Sequence, residues 1–297
     1  MIRQALILAP LSAGPTALAR LTEEVRRHGV ESLSIVAADP APPLEEQMFV
    51  LDADRPLDIN LWDLALAAGD GSALATTPDG NSGGVAVLDR ALLERLGGVD
   101  AGLFARLEGA DLPRRAYDRP RLDLSADTVR GAVIFDRDGV INEDTEYPYL
   151  PEHIVWTATG KAAVKAVNDA GLYAFVATNQ SGVARGMYSE QQIVDLHAWM
   201  NAELIAAGAH IDAYQYSPFH PDGTVEAYRR DSACRKPGPD MLNRLLDAHP
   251  VDRSRTVMIG DRPGDVAAGL AAGVEGILFE GGDLAAFLAP VIARLAR

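Results

Sequence analysis

The sequence predicts an α/β protein with two domains, the second of which is built on a doubly wound parallel sheet. Apolar segments with strand character alternate with segments whose apolar residues recur at helical spacing, in the first third of the chain and again after residue 130. A polar, proline-interrupted stretch separates the two series. We therefore expect a smaller domain over 1–108, a linker over 109–130 and a larger domain over 131–297.

The first domain is expected to hold a largely parallel sheet, because strands that alternate with helices are typical of one. A helix is predicted over Pro15–Arg27, with Leu18, Leu21 and Val25 on one face. The predicted strands are Ala5–Ala9, Leu33–Ala37, Phe49–Leu51 and Gly84–Leu88.

The second domain repeats the alternation with stronger signals. The predicted strands are Ala132–Phe135, Leu172–Ala177, Ala213–Tyr216, Thr256–Ile259 and Gly276–Phe279. The predicted helices are Thr159–Ala170, a segment from a capping box at Ser189 to Gly208, Pro239–Ala248 and Val266–Ala272. In a doubly wound sheet the active site lies beyond the carboxyl ends of the strands, so polar residues at those ends are the candidates.

Composition narrows the class of function. The formal net charge is −15, which disfavours binding to nucleic acids and anionic membranes. Cys234 is the single cysteine, so neither an intrachain disulfide nor a multi-thiolate zinc site is expected. The first apolar segment is too short for a signal peptide, and there is no apolar run of about 18 residues. We expect a cytoplasmic protein without a membrane span.

Carboxylates follow two of the predicted strands. Asp136 and Asp138 come after Phe135, and residues two apart in an extended chain point to the same side. Asp261 and Asp265 follow Ile259, and closely spaced acids at a strand end suit a hard cation such as Mg²⁺. The alternatives are an ordinary Asp-Gly turn for the first pair and a helix N-cap for the second.

Groups that suit phosphate occur at two other places, the end of one predicted strand and the start of one predicted helix. Thr178, Asn179, Gln180 and Ser181 come at the end of a strand, where a hydroxyl and backbone N–H groups suit phosphate oxygens, although the same residues make good loops. Arg235 and Lys236 precede a helix opened by proline; they oppose the helix dipole, which favours an anionic partner over a solvated surface pair.

Taken together, these four clusters come in the order paired Asp, Thr, Lys, paired Asp, and in this the chain resembles the haloacid-dehalogenase-like (HAD) phosphohydrolases over about 131–282. The resemblance implies a HAD-like sheet with no large cap domain. It implies Asp136 as the nucleophile that forms an aspartyl-phosphate and Asp138 as the acid and base. It implies that Thr178 and Lys236 hold the transferring phosphoryl group.

The same resemblance implies a Mg²⁺ site. Asp136, Asp261 and the backbone carbonyl of Asp138 would bind the ion, and Asp265 would support this metal shell or orient Lys236. An acid two residues after the nucleophile is typical of the phosphatase branches of the superfamily.

Longer sequence motifs indicate which branch of the superfamily the chain resembles. Thr178–Gly186, His220–Gly223 and Cys234–Pro237 resemble the branch with D-glycero-D-manno-heptose-1,7-bisphosphate 7-phosphatase and histidinol-phosphate phosphatase. A small sugar phosphate, most simply the heptose bisphosphate of heptose biosynthesis, is the implied substrate. The implied substrate-binding residues are Asn179, Gln180, Ser181, Arg185 and Arg235, with the two arginines on the phosphate that is not cleaved.

One departure from this branch concerns its zinc loop, which usually reads Cys-Pro-His followed by Cys-x-Cys. Here the positions read Ser217-Pro218-Phe219 and Ser232-Ala233-Cys234, so most ligands are missing. We expect no structural zinc, with the loop held by packing that involves Phe219, Tyr228 or the first domain.

The first domain resembles a shortened sugar nucleotidyltransferase, with Asp52-Ala53-Asp54 where that family has a metal-binding aspartate. The loop Pro10–Pro15 lacks the glycines and the cation that cradle a triphosphate. We expect a degenerate, non-catalytic domain that serves packing, specificity or dimerisation, the last giving a homo-oligomer. The alternatives to a heptose bisphosphate phosphatase are a histidinol-phosphate phosphatase, a bifunctional nucleotidyltransferase–phosphatase and a non-catalytic binding protein.

Overall fold

The computed structural model divides the chain into two compact units, Met1–Thr128 and Val129–Arg297. It describes residues 2, 4–8, 15–28, 30, 32–36, 47–52, 56, 58–97, 99, 103–117 and 129–296. Most of the Pro10–Pro15 loop and residues 53 and 54 lie outside this set, so the expectations that rest on them stay predictions. Among the described helices, none combines the length and apolar character needed to span a bilayer.

The first unit holds a sheet whose described strands run in the order β2-β1-β3-β5-β4-β6. The strands are β1 (Gln4–Leu8), β2 (Ser32–Val36), β3 (Gln47–Asp52), β4 (Ala73–Thr76), β5 (Ser82–Asp89) and β6 (Arg114–Ala116). The described helices are α1 (Pro15–Arg27), α2 (Leu61–Ala68), α3 (Arg90–Arg95) and α4 (Leu103–Glu108). An apolar core that includes Leu6, Val50 and Leu88 packs against α3 and α4.

This sheet is mixed, which corrects the expectation of a largely parallel one. β1, β2 and β3 are parallel, but β5 runs antiparallel to both β3 and β4. The reason is the short turn between β4 and β5, in which Thr77 N donates to Asn81 O (2.9 Å). Such a short connection can join only antiparallel strands, and Pro78-Asp79-Gly80 is its sequence signal.

The stretch 109–130, expected to be a linker, contains β6 and the first residue of the second unit's sheet. All three residues of β6 are exposed, so the strand has no apolar alternation that would reveal it in the sequence. It pairs in parallel with β4 at the edge of the sheet.

The second unit is a five-stranded parallel sheet in the order β11-β10-β7-β8-β9. The strands are β7 (Arg130–Phe135), β8 (Tyr173–Asn179), β9 (Ala213–Ser217), β10 (Val251–Gly260) and β11 (Glu275–Leu278). The helices are α5 (Gly160–Asp169), α6 (Glu190–Ile205), α7 (Asp240–Ala248), α8 (Pro263–Ala271) and α9 (Leu284–Leu295).

Helices cover both faces of this sheet, and successive strand residues alternate between them. Val133 and Phe135 belong to the core that also contains residues of α5 and α9. Ala132 and Ile134 belong to the core formed with α7 and α8. Every residue of β7 is buried, which is why its sequence is apolar from Gly131 to Phe135, after the charged Arg130 at its start. The expected doubly wound α/β fold is confirmed.

Candidate active site

The loops after β7, β8 and β10 meet the loop before α7 at a cavity of about 660 Å³. All of these strands are parallel, so their carboxyl ends share one edge of the sheet. The predicted site residues that line this cavity are Asp136, Asp138, Thr178, Asn179, Gln180, Ser181, Arg185, Arg235, Lys236 and Asp265. Asp261 joins them through the acidic group described below. The structure thus brings together residues that are up to 129 positions apart.

A buried lysine forms the floor of the cavity. Lys236 Nζ lies 2.9 Å from Asp136 Oδ1 and 2.7 Å from Asp265 Oδ1. The other oxygen of Asp265 accepts a hydrogen bond from the backbone N–H of Arg262 (3.0 Å), at the start of α8. A buried ammonium needs paired charges to offset its lost hydration, and the two carboxylates supply them.

Three carboxylates form a group that could hold a metal ion. One oxygen each of Asp136, Asp261 and Asp265 lie within 4.8 Å of one another. Burial raises the pKa of Asp136 to about 7, although the ammonium of Lys236 opposes this shift. Burial also raises the pKa of Asp261. A divalent cation would relieve the crowding of negative charge, and oxygen ligands suit Mg²⁺, so these residues fit the metal that the resemblance implies.

Gly139 lets the loop after β7 approach the loop after β10. Its φ is 83°, in the left-handed region that favours glycine. A Cβ at this position would collide with the carboxylate of Asp261. Glycine is therefore required here by both the backbone conformation and the close approach.

The carboxylate of Asp138 accepts hydrogen bonds from the side chains of Arg137 and Asn142. Arg137 donates from Nε to Oδ1 (3.0 Å) and from Nη2 to Oδ2 (2.9 Å), and Asn142 Nδ2 donates to Oδ1 (2.9 Å). The side chain of Arg137 is fully buried and also donates to the carbonyl of Pro148 (3.0 Å). Arg137 was not among the predicted site residues, because an arginine between two acids gives no sign that its side chain is buried.

Asn179 joins the loop after β8 to the loop before α7. Its Nδ2 donates to the carbonyl of Lys236 (3.1 Å), and its Oδ1 accepts from the N–H of Lys236 (3.0 Å). The neighbouring Thr178 is almost fully buried, while Ser181 is partly exposed at the cavity wall. The two loops that carry Thr178 and Lys236 are therefore tied together through one side chain.

The outer part of the cavity is basic. Arg185 Nη2 lies 3.5 Å from His220 Nε2. Burial lowers the pKa of Arg235, and the positive charge of Arg185 lowers it further. Two cations that repel each other beside a cavity would be stabilised by an anion between them.

The segment after Asn142 supplies another part of the rim. Glu146 and Tyr147 line the cavity and have φ values of 56° and 59°, which are uncommon for residues with a side chain. Without a glycine at either position, the sequence carried no signal for this turn.

Tyrosine hydroxyls and a cation–aromatic contact hold the loop between Ser217 and Cys234. Tyr216 Oη donates to Glu190 Oε2 (2.9 Å), and Tyr228 Oη donates to Glu190 Oε1 (2.7 Å). The guanidinium of Arg230 lies 3.9 Å from the centre of the Phe219 ring. Phe219 and Tyr228 therefore both make contacts in this loop, as expected. The role of Glu190 as the shared acceptor was not predicted.

This fold and this constellation of acids, threonine and lysine define a HAD-like hydrolase. A family model described as HAD-hydrolase-like matches residues 233–286. A D-glycero-beta-D-manno-heptose-1,7-bisphosphate 7-phosphatase from Rhodopseudomonas palustris is 45% identical over 168 residues, which cover 57% of this chain and 93% of that protein. The chain belongs to the family of D-glycero-D-manno-heptose-1,7-bisphosphate 7-phosphatases.

Two further matches are to a second member of this family and to a solved HAD-like structure. A D-glycero-beta-D-manno-heptose-1,7-bisphosphate 7-phosphatase from Escherichia coli K12 is 36% identical over 143 residues, covering 48% of this chain and 75% of that protein. A crystal structure of a HAD-like phosphatase from Mesorhizobium loti matches with a TM-score of 0.53 and 30% identity. That match covers 57% of this chain and 88% of the other.

Proposed function

We propose that this protein is a Mg²⁺-dependent phosphatase that removes the 7-phosphate of D-glycero-D-manno-heptose 1,7-bisphosphate. The observation that carries the proposal is the buried ammonium of Lys236, held between Asp136 and Asp265 at the floor of the cavity. Phosphoryl transfer requires alignment and charge neutralisation, and this group of charges supplies both. The names of the two similar phosphatases support the choice of substrate.

In the first step Asp136 attacks the phosphorus. The N–H of Arg137 (2.7 Å) and Lys236 Nζ both contact Oδ1, which leaves Oδ2 to form the new bond. As the Oδ2–P bond forms, the bond between phosphorus and the sugar oxygen breaks and an aspartyl-phosphate results. Lys236 and Thr178 bind the phosphoryl oxygens and stabilise their charge.

Asp138 moves the proton in both steps. In its protonated form it gives its proton to the departing sugar oxygen, and the resulting carboxylate then takes a proton from the water that attacks the aspartyl-phosphate, which restores the acid. The second step releases inorganic phosphate and restores the carboxylate of Asp136. The hydrogen bonds from Arg137 and Asn142 hold Asp138 in one orientation.

The residues that would hold Mg²⁺ are Asp136, Asp261 and Asp265, together with the backbone carbonyl of Asp138 that the resemblance implies. When Mg²⁺ is bound there, it supplies further neutralisation of the phosphoryl charge. Asp265 also orients Lys236 through their ion pair.

The second phosphate of the substrate would bind to Arg185 and Arg235. Both line the cavity that contains Lys236, and the charge of Arg185 lowers the pKa of Arg235. A bound phosphate would remove this repulsion, and guanidinium groups bind phosphate through paired hydrogen bonds. Asn179 and Ser181 line the same cavity.

Histidinol phosphate is a second candidate, because acids also line the cavity. Asp144 and Glu146 would suit the ammonium group of that substrate. Asp144, however, is already paired with Arg262 (2.8 Å), so Glu146 is the acid left to bind an amine.

For the first unit we propose a non-catalytic role in packing, specificity or dimerisation. The lack of a basic, glycine-rich loop in the sequence supports this over a second, nucleotidyltransferase activity. Size-exclusion chromatography with light scattering would test the dimer, and incubation with nucleoside triphosphates and sugar phosphates would test the transferase.

The main proposal is tested by phosphate release from a panel of substrates. The panel contains the heptose 1,7-bisphosphate, the corresponding 7-phosphate, histidinol phosphate and p-nitrophenyl phosphate, each with Mg²⁺ and with EDTA. EDTA-sensitive release that is fastest from the bisphosphate supports the proposal. Preference for histidinol phosphate replaces the substrate, and no release from any compound contradicts the enzymatic function.

A further inference from the structure

The side chain of Gln180 connects two residues of the proposed reaction. Its Nε2 donates one hydrogen bond to Asp138 Oδ2 (3.0 Å) and one to Thr178 Oγ1 (2.9 Å). An amide nitrogen carries two hydrogens, so both are used. Gln180 is only 2% exposed. This bonding suits a group that positions other side chains rather than one that binds the substrate directly.

The orientation of this amide depends on Tyr188. The hydroxyl of Tyr188 donates to Gln180 Oε1 (2.9 Å). If the amide were rotated by half a turn, its oxygen would face the carboxylate of Asp138, and two acceptors would repel each other. Burial raises the pKa of Tyr188 to about 12, so the hydroxyl stays protonated and keeps donating.

Tyr188 itself has little freedom to move. Its ring stacks on Tyr149, with centroids 5.0 Å apart and planes inclined by 23°. It also lies against Gly182, where a Cβ would collide with the ring. The position of the hydroxyl is thereby determined by packing on both sides.

We propose that Tyr188 is a positioning residue, which fixes the Gln180 amide and thereby the Asp138 carboxylate and the Thr178 hydroxyl. The inference rests on the proposed phosphatase function and deepens it. Tyr188 also lines the cavity, but its hydroxyl donates to Gln180, so its hydrogen-bonded connection to Asp138 and Thr178 runs through that amide.

Tyr188→Phe removes the hydroxyl and keeps the ring. Without the donor, Gln180 is no longer held in one orientation and Asp138 is less well placed to protonate a leaving group. We expect kcat for the heptose bisphosphate to fall about tenfold, the effect of about one buried hydrogen bond, with little change in KM. For p-nitrophenyl phosphate we expect a smaller loss, because nitrophenolate leaves without a proton.

Two further variants separate positioning from a general structural effect. Tyr214→Phe removes another buried hydroxyl, one with no hydrogen-bond partner among the described residues, and should behave like wild type. Gln180→Met removes the amide. If Tyr188 acts through Gln180, the double variant should be no slower than Gln180→Met alone.

The inference is supported by a lower ratio of sugar-phosphate to aryl-phosphate turnover in Tyr188→Phe together with this lack of additivity. It is overturned if Tyr188→Phe matches wild type on both substrates, if both rates fall equally, or if the two substitutions are additive. Thermal unfolding of all variants shows whether a loss reflects instability. If the wild type itself releases no phosphate, the proposed function fails, which is a separate outcome.

Discussion

Lys236 Nζ lies 2.9 Å from Asp136 Oδ1, and the two side chains are only 2% and 12% exposed. Removing one partner of a buried ion pair typically destabilises a protein by about 3–5 kcal/mol, because the other charge stays buried. Substitutions that remove either side chain would therefore mix a stability effect with a catalytic one. Isosteric changes are the informative ones at this site.

Asp136→Asn should abolish turnover. The amide has nearly the same shape as the carboxylate, and its oxygen can still accept from Lys236, but it is a far weaker nucleophile. We expect kcat to fall by about a thousandfold or more. Phosphate release measures this, and Asp247→Asn, at an exposed acid paired with Arg253, is the matched control. Turnover at the wild-type rate would contradict the role of Asp136 and favour another nucleophile.

Mg²⁺ should stabilise the protein in the absence of substrate. An ion that binds only the folded state, at about 100 times its Kd, raises the free energy of unfolding by about 2.7 kcal/mol. Asp261→Asn removes one proposed ligand and should shift this stabilisation to higher Mg²⁺ concentration. Differential scanning calorimetry over a Mg²⁺ titration checks both. The metal assignment is wrong if the substituted protein responds as the wild type does.

Arg235→Gln should impair recognition of the second phosphate. We expect kcat/KM for the heptose 1,7-bisphosphate to fall about tenfold, or about 1.4 kcal/mol, with a smaller change for the heptose 7-phosphate. Steady-state kinetics on both substrates measure the difference. Arg294→Gln, at a surface ion pair with Glu275, serves as the control. Equal losses on the two substrates would argue that Arg235 does not contact the uncleaved phosphate.

Glu190→Gln should loosen the loop between Ser217 and Cys234. The neutral amide oxygen replaces a carboxylate that accepts from both Tyr216 and Tyr228, and hydrogen bonds to a charged group contribute about 1.5–3 kcal/mol each. We expect faster amide hydrogen exchange over 219–230 and a KM raised about fivefold.

Its matched control is Glu203→Gln, which alters a surface pair with Lys161. Since no structural zinc is expected, a zinc-selective chelator should leave exchange in the wild-type loop unchanged. Faster exchange after chelation, rather than after the Glu190 substitution, would mean that a metal holds this loop.

The sequence predicted best where one physical signal dominated. The buried strand before Asp136 is apolar from Gly131 to Phe135, and the capping box at Ser189 forms as expected, with Ser189 Oγ accepting from Gln192 N. The convergence of Asp136 and Thr178 followed from placing polar residues at the ends of parallel strands. Lys236 precedes α7 rather than ending a strand, and its place in the site was implied by the family resemblance.

What the sequence did not reveal depends on side-chain burial and on local turns. The order of residues in the sequence does not show that the Arg137 side chain is buried and hydrogen-bonded to Asp138. Nor does it show that Tyr188 donates a hydrogen bond to Gln180. The exposed strand β6 has no apolar residue facing a core. The left-handed turn at Glu146 and Tyr147 uses residues that rarely adopt it.

The two hydrogen bonds between the Asn179 side chain and the backbone of Lys236, here called the clasp, affect how the substrate preference of this enzyme can change. The loops bearing Thr178 and Lys236 share that clasp, so a change in either loop would disturb both phosphate-holding groups at once. Glu146, Tyr147 and His220 lie on separate segments that do not carry these groups. New substrate preferences can therefore arise by natural mutation or directed evolution at Glu146, Tyr147 and His220, while Thr178 and Lys236 are conserved together.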